Sequence, residues 1–216
     1  LLNLTAREFF DRIVLAEINR QLGQHKEAQQ AIQAVLAHGS ITAMEQAEAR
    51  MVLGRLLATC PQHDYKQAMQ ETVSAIKLAA AEAGKSRGIA RSRARRLLIE
   101  AELSLAEILA HGPWKQRHNV VPQWLASAEK AASEHVEQDR ASREILLDLY
   151  NASLHCLLVL EGQGTPSKIA DAAIELGREL IAETEDAEFH SLVEWKLGTG
   201  LWHASRIYLQ QGNADE

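Results

Sequence analysis

Apolar residues recur along this chain every three or four positions, the spacing that places them on one face of an α-helix. The clearest example is residues 15–36, where Gly23 ends one amphipathic helix and Ala28, Ile32 and Val35 share a face of the next. Small residues at such offsets let two antiparallel helices pack closely. The pattern therefore predicts a chain built from helix pairs.

The same periodicity, punctuated by glycine and proline, predicts four helix pairs and the first helix of a fifth. Residues 112–121 are predicted to form a long loop inside the third pair. The chain begins at Leu1 without a methionine and stops at Glu216 where another helix is expected. We therefore expect one domain over residues 1–216, with its last pair incomplete, taken from a longer protein. The predicted pairs are 6–22 with 26–37, 43–59 with 64–83, 89–111 with 122–135 and 139–161 with 167–185, followed by a helix at 187–211.

Composition supports an all-α fold. Hydrophobic residues make up 46% of the chain but aromatic residues only 5%, and alanine and leucine dominate. Such a composition favours helix packing over a β-sandwich. No run is long enough to span a membrane. Cys60 and Cys156 form no CxxC motif, so we interpret them as reduced core residues of a cytoplasmic protein.

Some of these segments resemble the tetratricopeptide repeat, a helical repeat family with small and large residues at fixed positions. The resemblance implies an α-solenoid, a right-handed superhelix of antiparallel helix pairs, which acts as a protein-binding scaffold. A generic α-solenoid or an irregular helix bundle is the alternative fold. The matching residues are Leu15-Ala16, Gly23 through Ala28, Ile32 and Val35; Leu53-Gly54, Tyr65 and Ala68; and in part Leu197-Gly198 and Tyr208.

No motif in the chain carries recognisable catalytic chemistry. There is no GxSxG, no phosphate-binding glycine loop and no HExxH. The nine histidines show no metal-ligand spacing, so we interpret them as surface and helix-end residues. We therefore expect no enzyme activity, no metal and no cofactor.

A basic segment at residues 85–96 contrasts with the net charge of −6 for the whole chain. Arg91 and Arg95 are helical neighbours four residues apart. The segment is either a solvated face that pairs with Glu45, Glu48 or Asp139, or a site for an acidic peptide, a phosphate or a carboxylate. A nucleic-acid partner is not expected, because no aromatic residues interleave the arginines and the chain is acidic overall.

The four tryptophans fall into two groups. Trp114 and Trp124 bracket the predicted loop, where an aromatic residue either anchors a partner or folds back over the edge between helices, and we expect the latter. Trp195 and Trp202 lie seven residues apart and so share a helix face, and we expect them to pack in the core or against a neighbouring repeat.

The resemblance to tetratricopeptide repeats also implies which residues bind a partner, because the first helix of each pair lines the concave surface in that family. Ile13 and Glu17 occupy two positions of the carboxylate clamp found in chaperone-binding members, which argues against that partner. The mixture of charged and apolar positions suits an amphipathic helix or an extended peptide. The candidate partner-binding residues are Glu17, Arg20, Gln21, Met51, Arg55, Arg91, Arg95 and Glu107, with Ile13, Glu48 and Leu103 beside them.

Two functions are compatible with these features. The first is a non-catalytic scaffold module that binds a protein or peptide segment. The alternative is an effector-sensing domain of a larger signalling ATPase or transcription regulator, which would bind a small molecule or peptide. An open groove would favour the scaffold, and a closed pocket would favour the sensor.

Overall fold

A computed structural model describes residues 6–138, 143–161 and 166–212, and every regular element in these ranges is an α-helix. The prediction of an all-α fold is confirmed. Most helix bounds lie within a few residues of the predicted ones. The start of the predicted helix 139–161 and Asp139 lie outside the described residues. The helices are α1 (Ala6–Gln21), α2 (His25–Leu36), α3 (Ala43–Thr59), α4 (Tyr65–Lys85), α5 (Gly88–His111), α6 (Arg117–Gln138), α7 (Ile145–Val159), α8 (Pro166–Ala182) and α9 (Ala187–Gln211).

The chain folds into two compact units, unit 1 (Leu1–Ile108) and unit 2 (Leu109–Glu216), with the division near the end of α5. In unit 1, α1 packs against α2 and α3, and α3 packs against α4. One core cluster joins α1, α2 and α3 around Ile13, Ile32 and Val52. A second joins α3, α4 and α5 around Met51 and Leu97, with alanines filling the narrow gaps. Helices α1, α3 and α5 thereby come to surround one surface.

Side-chain caps fix where α3 and α4 begin. The Thr42 hydroxyl accepts a hydrogen bond from the Glu45 backbone amide, and the Glu45 carboxylate accepts one from the Thr42 amide. This reciprocal arrangement satisfies two amides that have no partner within the helix. Asp64, the first residue of the predicted helix 64–83, caps α4 and accepts a hydrogen bond from the Gln67 amide. The bounds of α3 are those predicted from its periodicity, and the capping box holds its first turn.

In unit 2, α7 packs against α6, α8 and α9, and α8 packs against α9. Leu147, Leu176 and Val193 lie in one core cluster, and Leu154 and Ile207 in another. Cys156 is a buried free thiol, as expected from the sequence, whereas Cys60 of unit 1 is half-buried.

The predicted loop at residues 112–121 is shorter than expected, because α6 begins at Arg117. Pro122 therefore lies inside the helix and does not begin it. Its missing amide withdraws a hydrogen bond only from the carbonyl of His118, an exposed residue near the helix start. The ring of Trp114 lies against Gly112, since a Cβ placed on that glycine would collide with it. The expectation that it covers an edge between helices stays a prediction.

The expectation that Trp195 and Trp202 pack in a core was wrong. Their side chains are 67% and 57% exposed. The seven-residue spacing does put them on a common face, but α9 buries a different one. The buried face of α9 consists of Val193, Lys196, Gly200, Ala204 and Ile207.

Candidate functional site

A groove in unit 1 opens between α1, α3 and α5 and has a volume of about 390 Å³. We refer to it as the unit-1 groove. Its walls differ in chemistry: α1 contributes mainly apolar side chains, whereas α3 and α5 contribute arginines and glutamates together with three apolar residues. The lining residues are Phe10, Ile13, Val14, Glu17, Ile18, Glu48, Met51, Val52, Arg55, Arg93, Arg96, Leu97 and Glu100.

The apolar wall is a stripe along α1. Phe10, Val14 and Ile18 are four residues apart, so they lie above one another on the same helix face. All three are exposed, whereas Phe9 and Ile13 beside them are buried in the core. One helix thus carries two apolar faces, and only one of them is covered by the rest of unit 1. Exposed apolar stripes of this kind are characteristic of binding surfaces.

The polar wall is held in place by pairs that run between helices. Arg93 of α5 donates to Glu48 of α3 at 2.6 Å, and Arg55 of α3 donates through Nε to the Ser104 hydroxyl at 2.8 Å. Burial raises the pKa of the Glu48 carboxyl, and the neighbouring negative charge of Glu100 adds to this, against the opposing effect of Arg93. The polar wall is therefore partly withdrawn from water.

Glu17 organises the end of the groove nearest Arg20. It accepts hydrogen bonds from Arg20 at 2.9 and 2.7 Å and from Gln21 at 3.0 Å. Burial by itself raises the pKa of Glu17, but the Arg20 hydrogen bond and the positive charges of Arg55 and Arg20 outweigh it, so this pKa is lowered. The hydrogen bond to Glu17 raises the pKa of Arg20, and the negative charge of Glu107 contributes to that rise. Side chains from three helices thus form one electrostatic network.

We expect Glu17→Gln to destabilise the chain at neutral pH by about 1 kcal/mol, the upper value for a partly exposed ion pair. Because the pKa of Glu17 is lowered by folding, its contribution is present above the ordinary glutamate value of about 4.3 and is lost as the pH falls through the folded value. Urea unfolding at several pH values should show the wild-type and variant stabilities converging in acid.

Glu82→Gln is the matched control, since Glu82 also pairs with a cation three residues away, but that cation, Lys85, is mostly exposed. We expect Glu82→Gln to change the free energy of unfolding much less than Glu17→Gln does. If the free energy of unfolding of Glu17→Gln differs from that of wild type by the same amount at neutral and acidic pH, this account of the network is contradicted.

Six of the eight predicted partner-binding residues come together around the groove. Three of them line it, and the other three belong to the network around Glu17 or act on it electrostatically. Arg91 is exposed, and neither it nor Arg95 lines the groove. The six residues are Glu17, Met51 and Arg55, which line the groove, and Arg20, Gln21 and Glu107.

The residues that sequence reasoning missed are Arg93 and Arg96, which line the groove in the places where Arg91 and Arg95 were proposed. The missed signal is helical phase. Seven- and eleven-residue steps are close to whole numbers of helix turns, and back from the predicted Glu107 they lead to Glu100, Arg96 and Arg93. Four-residue steps, which lead to Arg95 and Arg91, drift around the helix. The interpretation of the basic segment as a face that pairs with Glu48 agrees with the Arg93–Glu48 ion pair. Glu45, the other proposed partner in the described residues, caps its own helix.

Unit 2 contains a separate cavity of about 400 Å³ between α6, α7 and α8. Its lining is mostly aliphatic, with Leu125, Leu149 and Leu157 among the larger side chains. Glu129, Tyr150 and Ser153 add polar groups to the lining. The pKa of Tyr150 is raised by burial and by the negative charges of Glu129 and Glu175. The cavity is suited to an apolar molecule and has no cationic lining residue to attract an anion.

The histidines are less uniformly superficial than predicted. His135 is fully buried, and the rings of His111, His155 and His203 meet in unit 2. Residues 44 and 48 positions apart are brought together by packing, which spacing along the chain does not reveal. No group of three or more histidine, cysteine or acidic side chains able to hold a metal ion occurs in ranges 6–138, 143–161 and 166–212.

Comparison with protein-family models, curated proteins and solved structures finds no match for this chain. Within the part of the chain that the structure describes, no helix combines the length and apolarity needed to cross a membrane. The interpretation of the site therefore depends on its own geometry.

Proposed function

We propose that this chain is a non-catalytic module that binds an amphipathic segment of a partner protein in the unit-1 groove. The observation that carries the proposal is the pairing of an exposed apolar stripe on α1 with an arginine-containing wall on α3 and α5. An amphipathic helix or extended peptide could bury its apolar side against Phe10, Val14 and Ile18. Its polar side would then face Arg55 and Arg93.

The architecture we propose for the module is a tetratricopeptide-like solenoid of antiparallel helix pairs. Two features support it: neighbouring helices pack on one another or share a core cluster within each unit, and α1, α3 and α5, each the first helix of a predicted pair, surround the groove. We propose a cytoplasmic location, which the free thiols of Cys60 and Cys156 support. The proposed partner is a protein segment, with neither a membrane nor a nucleic acid as ligand.

Selection of peptides from a displayed random library, followed by fluorescence anisotropy, tests this function. We expect the selected peptides to bind Ile18→Glu at least about tenfold more weakly than wild type, a loss of about 1.4 kcal/mol. Leu15→Glu is the matched control, because Leu15 is exposed on the same helix but does not line the groove. It should bind normally.

A second pair of variants tests the polar wall. Arg93→Ala should weaken binding of the same peptides. Arg91→Ala, which removes an exposed arginine outside the groove lining, should leave their binding unchanged. The proposal is wrong if this chain enriches no more peptides from the library than an unrelated helical protein does. It is also wrong if the selected peptides bind Ile18→Glu as tightly as wild type.

The unit-2 cavity favours a second candidate function, the sensing of a small apolar effector. Its volume of about 400 Å³ falls within the usual range for ligand pockets. A ligand whose binding survives both Ile18→Glu and Arg93→Ala would favour this function over the first.

A further inference from the structure

Three histidines from three helices form a row of rings in unit 2. His111 lies at the end of α5, His155 in α7 and His203 in α9. The Nε2 atoms of His111 and His155 are 3.1 Å apart. The rings of His155 and His203 stack with centroids 4.9 Å apart and an interplanar angle of 6°. The row has no part in the unit-1 groove and is not explained by peptide binding.

The facing nitrogens of His111 and His155 have the separation that a shared cation requires. Two neutral imidazoles make this contact only if one Nε2 carries a proton and the other accepts it. Zinc binds imidazole nitrogen at about 2.0–2.1 Å in tetrahedral geometry, which places two ligand nitrogens roughly 3.3 Å apart. For a metal ion to replace the shared proton, the two Nε2 atoms therefore need to move apart by only a few tenths of an ångström.

The surroundings of the pair favour such a replacement. His203 stacks on the half-buried ring of His155 and so restricts its orientation. His111 is exposed, which gives an ion access to the pair from solvent. The rings of His111 and His155 are inclined at 66°, so the two nitrogens can approach one ion without the rings overlapping.

We propose that His111 and His155 form a two-ligand site for a divalent transition-metal ion of the zinc class, bound through both Nε2 atoms. Imidazole is a preferred ligand of such ions. Each ring must carry its proton on Nδ1, so the ring that donates in the metal-free pair moves its proton from Nε2 to Nδ1 through solvent. Water molecules complete the coordination shell, since the described part of unit 2 supplies two protein ligands. This inference is independent of the proposed peptide-binding function.

Isothermal titration of the tag-free, full 216-residue chain with Zn²⁺ in a non-coordinating buffer tests the site. We expect one ion per chain bound at least about tenfold more tightly than by His111→Gln or His155→Gln. His118→Gln is the matched control, because it removes an exposed histidine of the same unit that has no part in the row. It should bind Zn²⁺ as wild type does.

Two-dimensional NMR of the imidazole nitrogens gives a second measurement that does not depend on the folding of any variant. Addition of Zn²⁺ to the wild-type chain should shift the Nε2 resonances of His111 and His155 together, and those of His118 much less. If His111→Gln binds Zn²⁺ with wild-type affinity, or if the Nε2 resonances of the pair do not move, the site does not exist.

Discussion

Asp148→Ala is expected to lower the free energy of unfolding by about 3 kcal/mol, the lower end of the range for breaking a buried ion pair. Its partner Lys196 is only 6% exposed, and the Lys196 ammonium lies 2.8 Å from the Asp148 carboxylate. The substitution leaves this ammonium in the interface between α7 and α9 without its carboxylate. The expected loss is not larger because Asp148 itself is partly exposed and water can enter the space it leaves.

Lys196→Met provides the comparison that identifies the cause. This change removes the buried charge and keeps an apolar chain of similar length, while the remaining carboxylate can be hydrated. We therefore expect it to cost clearly less than Asp148→Ala, with both followed by urea unfolding. Equal losses in the two variants, or a loss below about 0.5 kcal/mol for Asp148→Ala, would mean that the pair does not hold α9 in place.

The sequence contains a signal for the Asp148–Lys196 pair, but the buried face of α9 was predicted from Trp195 and Trp202 and that signal was not used. Lys196 interrupts an otherwise small and apolar stripe that runs from Val193 through Gly200 and Ala204. A lysine buried in such a stripe needs an acidic partner. Attention to the seven-residue spacing of Trp195 and Trp202 instead led to the wrong buried face. Periodicity defines which residues share a face, but it does not identify the face that a neighbouring helix covers.

The helices were largely predictable because their signals are local. The caps at Thr42 and Asp64 and the glycine after α1 lie within a few residues of the helix ends that they define. The start of α6 was missed for the corresponding reason. Pro122 is a strong sign of a helix start, but a helix can begin earlier where the carbonyl that loses its donor is exposed.

The candidate site was predictable to the extent that helical phase was followed correctly. Helices α1, α3 and α5 do surround a groove, and Glu17, Met51 and Arg55 line it. Arg91 and Arg95 were chosen for their mutual spacing and not for their phase relative to Glu107. The contact between His111 and His155 could not be foreseen, because it depends on tertiary packing inside unit 2 between residues 44 positions apart.

Gly54→Ala is expected to destabilise unit 1 by about 2 kcal/mol, within the range for overpacking a close-packed core. A Cβ at Gly54 of α3 would collide with the Thr72 hydroxyl of α4 and lie 3.0 Å from the Ala68 carbonyl oxygen. Thr72 is fully buried, and its hydroxyl donates to that carbonyl at 2.9 Å. Its side chain therefore cannot turn away without losing the hydrogen bond, and the two helices must separate.

Gly84→Ala is the matched control, since it adds the same methyl group to α4 where nothing lies within 4 Å, and it should stabilise the chain by up to about 1 kcal/mol. Thr72→Ala removes the hydroxyl that the new methyl group meets. If close approach at this point is the cause, Gly54→Ala combined with Thr72→Ala will be less destabilised than the sum of the two single changes. Strict additivity in urea unfolding would instead place the cost of Gly54→Ala in the backbone contact with Ala68.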